Sequence, residues 1–186
     1  ESIKLEGYVE VARIDRRDGR EGGGVAVLAL AEHSASITHE HDSTEDERTW
    51  VMLHTDRGPV LVCTWYRPPG DPYCETVDRF AAELARMRDK ATCVIILGDM
   101  NVHHQRWLYH SSHTSAVGKQ LKATTEELGL TQLVKEPTRY DHLLDLCLTD
   151  DPDNVCVEVL QWRCHALARW NAQFGHTKTQ TGWAWK

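Results

Sequence analysis

The run Cys93-Val94-Ile95-Ile96-Leu97 passes without a spacer into Gly98-Asp99-Met100-Asn101, and it constrains this chain more than any other segment. A strand that is apolar on both faces must be covered on both faces, which predicts the interior of a sheet rather than an edge. The turn at its end carries a carboxylate and an amide. In α/β sheets reactive groups gather in loops at the ends of central strands, where a side chain projects into a cleft while its backbone stays rigid. A G-D-x-N sequence alone is equally consistent with Asp and Asn capping a strand.

The surrounding pattern supplies the rest of such a sheet. A triple glycine leads into Val25-Ala26-Val27-Leu28-Ala29-Leu30, a turn feeding a buried strand. Residues 50–54 and 60–66 read as strands joined by Asp56-Arg57-Gly58-Pro59, which predicts a hairpin. Pro68 and Pro69 stop the second strand, because proline has no N–H for a ladder. Val77, Phe80, Ala81, Leu84 and Met87 recur at helical spacing, so residues 74–90 form an amphipathic helix. A second helix fits 116–129, ending at glycine, and short strands fit 131–134, 143–148 and 155–160. Charged residues 13–20 are expected as a surface loop. Residues 32–48, rich in acids and histidine, are expected as a solvated loop, with a metal site built from His33, His39 and His41 as the alternative. The count of elements favours a mixed-sheet α/β sandwich.

The 186 residues, 41% hydrophobic, suit one compact domain. No apolar run approaches the roughly 20 residues that span a membrane, and the opening Glu1-Ser2-Ile3-Lys4 has no secretory pattern. An intracellular protein is expected, without membrane contact. Cys63, Cys93 and Cys147 lie in apolar strands and no C-x-x-C pair occurs, so buried free thiols are expected rather than a disulfide framework. With a net charge of -7 the chain does not advertise the strongly basic face of a protein that grips DNA through many phosphates. It is compatible with brief contact to nucleic acid if a divalent metal offsets part of the repulsion.

Phosphodiester hydrolysis needs a group to orient or deprotonate water and donors for the developing charge. Asp99 suits the first role, and the Asn101 amide suits donation to a phosphate oxygen.

Several further segments match one family in order: Gly23-Gly24-Val25-Ala26-Val27, Trp65-Tyr66-Arg67-Pro68-Pro69, Ile95 through His104 with Trp107, Pro137-Thr138-Arg139 and Leu144-Asp145-Leu146. Together they resemble the endonuclease/exonuclease/phosphatase superfamily, and more narrowly the apurinic-endonuclease-like domain of non-LTR retrotransposons and their reverse-transcriptase polyproteins. The resemblance covers roughly residues 7 to 160 and implies that fold. It implies a DNA endonuclease that nicks target DNA, using Mg2+ (or Mn2+), monomeric, in transient contact with DNA, once fused to a reverse transcriptase, and nuclear if it acts on genomic DNA. It makes Tyr66 the phenol at the scissile phosphate, Asp99 the water-activating carboxylate and Asn101 the phosphate-binding amide. Asp145 becomes the later carboxylate, orienting a histidine or lying near the metal. Thr138, His103 and Arg67 are implied at the substrate, with His103 and His104 as cleft wall and Trp107 as packing.

The family also carries an Asn and a metal-binding Glu ahead of the segment matching Gly7-Tyr8, and a closing Ser-Asp-His after a last strand. Glu1 does not match that Glu, and Gln161-Trp162-Arg163-Cys164-His165 follows Leu160 instead of the triplet. No metal ligand is therefore assigned. The expectation is an incomplete domain over 1–160, truncated at both ends. Residues 161–186, which hold four tryptophans and no acid, are expected to be an unrelated tail. The alternative reading of the whole is an inactive relic or binding module with the same fold.

Overall fold

The computed structural model describes residues 3–16, 23–69, 73–162, 165–174 and 177–182, with side chains described as far as residue 159. Strand β6 (Cys93–Asp99) is buried from end to end except at Asp99, and it lies inside the main sheet as its composition requires. On one side it runs parallel to β5 (Gly58–Tyr66), and on the other antiparallel to β8 (Asp145–Thr149). β4 (Glu47–Thr55) forms the expected hairpin with β5. β3 (Ile37–Asp42) and β7 (Thr131–Gln132) are the edges, giving the order β3-β4-β5-β6-β8-β7.

Parallel neighbours need a crossover, and α1 (Glu75–Met87) supplies it between β5 and β6. Its buried stripe of Val77, Phe80, Leu84 and Met87 includes the ring that stacks on two sheet tryptophans, Phe80 on Trp50 at 6.1 Å and on Trp65 at 5.1 Å. Replacing Phe80 with alanine would cost about 3–5 kcal/mol through the cavity left behind. α2 (Ala116–Glu127) packs beside α1, its N-terminus capped by Ser115, whose Oγ accepts from the Gly118 N–H at 3.0 Å.

The opposite face carries strands. β1 (Tyr8–Ile14) and β2 (Val25–Leu30) form an antiparallel ribbon in contact with β4 and β5, burying Ala12, Ile14, Val25, Val27 and Ala29. β9 (Val155–Trp162), β10 (His165–Phe174) and β11 (Thr177–Gly182) form a three-stranded antiparallel sheet. The composition boundary drawn at residue 160 falls inside β9. The side chains of Trp162, His165 and Trp170, and residues Trp183 and Trp185, lie outside the described residues.

Two segments expected as loops are corrected. The strand β1 runs through Arg13 to Ile14, where Ile14 is buried. Residues 37–42 form β3, and Arg48, assigned to the same solvated loop, is fully buried in β4. Both errors have one cause: an edge strand with exposed polar side chains has no apolar signature, and a buried arginine looks like a surface one until its partner is known. Cys63, Cys93 and Cys147 are buried free thiols, and Cys74 and Cys156 are also free. Burial raises the thiols of Cys63, Cys93 and Cys147, that of Cys93 to about 12, so these three are inert at neutral pH.

Candidate active site

The turn after β6 is built by close backbone contact. Gly98 has φ +149°, and a Cβ at this position would lie 1.8 Å from the carbonyl oxygen of Trp65 in β5. Only glycine lets the two strands meet here. Beyond it the chain is held to its neighbours: the Arg67 N–H donates to the Asp99 carbonyl at 2.9 Å, and the Met100 N–H donates to Leu144 O at 3.1 Å. Asn101 sits at φ +44°, a conformation that asparagine tolerates better than most residues. Its Nδ2 donates to Arg67 O at 2.8 Å, while Arg67 Nη1 reaches the carbonyls of Met100 and Asn101 at 3.4 and 3.3 Å. Arg67 is 3% exposed, so its guanidinium braces the turn from within.

Asp99 faces a second carboxylate. The β6–β8 register pairs it directly with Asp145. Burial, then the charge of Asp145, pushes the Asp99 carboxyl up to about 7, against the lowering effect of the Asn101 N–H that donates to its Oδ1 at 3.2 Å and of Arg139. Asp145 is raised as well, mainly by burial, and is held back by hydrogen bonding to Thr138 and by the charge of Arg139. Thr138 is buried. Its Oγ1 accepts from the N–H groups of Leu144 and Asp145 at 3.1 and 3.0 Å, which fixes the start of β8.

The row extends across the sheet. The register of β5 with β6 brings Tyr66 to the rank of Asp99, and that of β4 with β5 pairs Tyr66 with Glu47. Glu47, Tyr66, Asp99 and Asp145 therefore lie side by side at one end of four adjacent strands. The Arg16 guanidinium lies over the Tyr66 ring, 5.4 Å from its centroid. His103 lies tilted at 4.3 Å to His113 and edge-on at 6.4 Å to His142; burial, then these two rings, lower its pKa. His104 meets the edge of Trp107, which packs against the core as expected. Among the described residues no three His, Cys, Asp or Glu side chains form a ready metal cage.

The structure thus brings Tyr66, Asp99, Asn101, Asp145, Thr138 and Arg67 to one end of the sheet. Sequence reading overlooked Arg139, Arg16 and Glu47. Arg139 was legible in the Pro137-Thr138-Arg139 motif. Arg16 was hidden in a charged stretch, and Glu47 in an acidic one.

A carboxyl poised near neutrality, beside a phenol and an amide donor, is equipped to take a proton from water and to hold an anionic oxygen. The fold has known counterparts. The endonuclease domain of TRAS1, a telomere-specific non-LTR retrotransposon, is similar at TM-score 0.65 and 19% identity, covering 91% of this chain and 82% of that one. The human Nocturnin catalytic domain is similar at TM-score 0.54 and 10% identity, covering 97% and 73%. No curated protein matches in sequence. A family model described as endonuclease-reverse transcriptase matches residues 60–168, more than half of the chain and the part that carries Tyr66, Asp99, Asn101 and Asp145. The fold is therefore the endonuclease/exonuclease/phosphatase sandwich anticipated from the motifs, and the chain belongs to the endonuclease-reverse transcriptase family.

Proposed function

We propose that this chain is a divalent-metal-dependent DNA endonuclease domain of retrotransposon type. The observation that carries the reading is the Asp99–Asp145 pair: two in-register carboxylates, both raised, at the end of a buried strand beside Tyr66 and Asn101. Placing like charges together lowers stability and has no packing rationale, whereas it suits a site that receives positive charge or a proton. The donor set fits a hard cation such as Mg2+, which binds through one or two carboxylates and retains water. Asp99 and Asp145 are the residues that would hold it. When bound, the ion supplies charge to the phosphoryl oxygens.

The chain's own groups divide the remaining work. Asp99 orients the attacking water. The Tyr66 hydroxyl contacts the scissile phosphate, and the Asn101 amide donates to a phosphate oxygen. Arg67 and Thr138 act on substrate through the backbone they brace, and His103 forms cleft wall. The substrate is DNA held briefly by a monomeric domain attached to a reverse transcriptase, in the nucleus where genomic DNA is the target.

Supercoiled plasmid incubated with the chain and Mg2+ tests this reading. Nicking that requires the metal and is abolished by Asp99→Asn is the expected result. Metal-independent nicking overturns the metal dependence, and no nicking at all returns the chain to the class of binding modules.

A further inference from the structure

The side chain over Tyr66 comes from outside the matched family segment, and its anchoring is unusually complete. Arg16 Nε donates to Glu47 Oε1 at 3.1 Å, and the two side chains are only 16% and 12% exposed. The other carboxylate oxygen, Glu47 Oε2, accepts the Gly24 N–H at 2.6 Å. Gly24 has φ +93°, and a Cβ there would lie 2.4 Å from Ile14 O, so the chain entering β2 is pressed against the end of β1. One carboxylate therefore ties together the end of β1, the start of β2 and the sheet strand next to Tyr66. Both of its oxygens are occupied in doing so, which makes Glu47 an anchor rather than a ligand of the neighbouring site.

Alternation along β4 shows that this arrangement is separate from the core. Arg48 and Trp65 share the helix-covered face, where the guanidinium lies 4.6 Å from the indole ring. Glu47 and Tyr66, each one residue away, share the opposite face under β1 and β2.

We propose that Arg16, fixed by Glu47, is the positioning residue of the Tyr66 phenol. The guanidinium lies over the ring, 5.4 Å from its centroid, while its Nε is held by Glu47. The cation thereby fixes the plane of the Tyr66 ring and adds positive charge where a phosphate oxygen is to be held. This rests on the nuclease reading for its catalytic consequence, but the link between Arg16 and Tyr66 stands by itself.

The test uses Arg16→Gln, Arg16→Lys and Tyr66→Phe in the full chain, with tyrosines labelled at 13Cζ. The Tyr66 resonance is identified by its loss in Tyr66→Phe. It is expected to move in Arg16→Gln and to move less in Arg16→Lys, which keeps a charged donor and guards against a folding failure. In plasmid nicking, Arg16→Gln is expected to lower kcat about tenfold with KM changed less than about twofold, with partial recovery in Arg16→Lys. Added to Tyr66→Phe, Arg16→Gln should cost less than about twofold more, because both changes remove one device. An unmoved Tyr66 resonance, or losses that multiply in the double variant, overturns the proposal. A resonance that moves in a chain that never nicks DNA upholds the Arg16–Tyr66 link and overturns the nuclease reading instead.

Discussion

Two clusters of buried charge flank this sheet, and they are built on opposite rules. Against α1, Arg48 is fully buried and forks onto Glu83 at 2.7 and 3.1 Å, with Asp46 at 3.0 Å. Trp50 Nε1 donates to the same Glu83 at 2.9 Å. One Arg48 nitrogen, Nη1, meets no acceptor among the described residues, but the guanidinium lies over Trp65. Here every carboxylate has a cation, and hydrogen bonds to Arg48 hold Glu83 below its usual range despite burial. At the Asp99–Asp145 end, acid faces acid and both are raised. The first arrangement stabilises a helix on a sheet. The second is electrostatic strain held in place by a rigid strand end, the arrangement on which the proposed nuclease reading rests.

The largest effect that separates the two clusters is on activity. Asp99→Asn should reduce Mg2+-dependent nicking by at least about a thousandfold, whereas Arg79→Ala, which removes the outer cation of the other cluster, 2.7 Å from Asp46, should leave the nicking rate within about twofold. Equal losses would erase the distinction.

Stability should respond in the opposite sense. Glu83→Ala leaves Arg48 buried without its main partner and should cost about 3–5 kcal/mol in urea denaturation at pH 7. Asp99→Asn removes a repulsion and should raise the midpoint at pH 8.

The pH dependence sharpens this contrast. Asp99 binds its proton more tightly folded, near 7, than its unfolded value of 3.8. Its protonated form therefore supports the fold below about pH 4, and that support is lost as pH rises towards 7. Relative to Asp99→Asn, wild type should lose up to about 4 kcal/mol across this window. Glu83 is shifted down from 4.5, so its support is present above that value and is lost as pH falls through the lower native value. Denaturation curves of Asp99→Asn and Glu83→Gln against wild type, at several pH values, should slope in opposite directions. Parallel slopes would remove the comparison.

Two smaller effects refine the site. Thr138→Val deprives the N–H groups of Leu144 and Asp145 of their acceptor, and should cost about 1–2 kcal/mol by thermal unfolding. Millimolar Mg2+ should raise the melting temperature of wild type by a few degrees and leave Asp99→Asn unmoved.

Much of the architecture could be read from local pattern. The period of Val77, Phe80, Leu84 and Met87 is a property of one helix, and the apolar run of β6 requires cover wherever it occurs. Asp99, Asn101 and Tyr66 were legible because a turn and a strand end are short-range features. Arg48, Glu83, Arg16 and Glu47 were not. Their roles depend on partners 35 and 31 residues away, and a charged side chain gives the same local signal whether it is solvated or buried in a pair.

Local sequence thus determined the central strands and the two helices of this protein, the glycine-carboxylate turn and the identity of the groups in it, because periodicity and turn chemistry act over a few residues. Register alone decided that Asp99 would meet Asp145 and lie in a row with Tyr66 and Glu47, and the sandwiching of β1 and β2 on the sheet decided that Arg16 would cover the phenol. The reason is the range of the forces involved: burial and Coulomb repulsion shift a carboxyl only when folding brings its neighbours within a few ångströms.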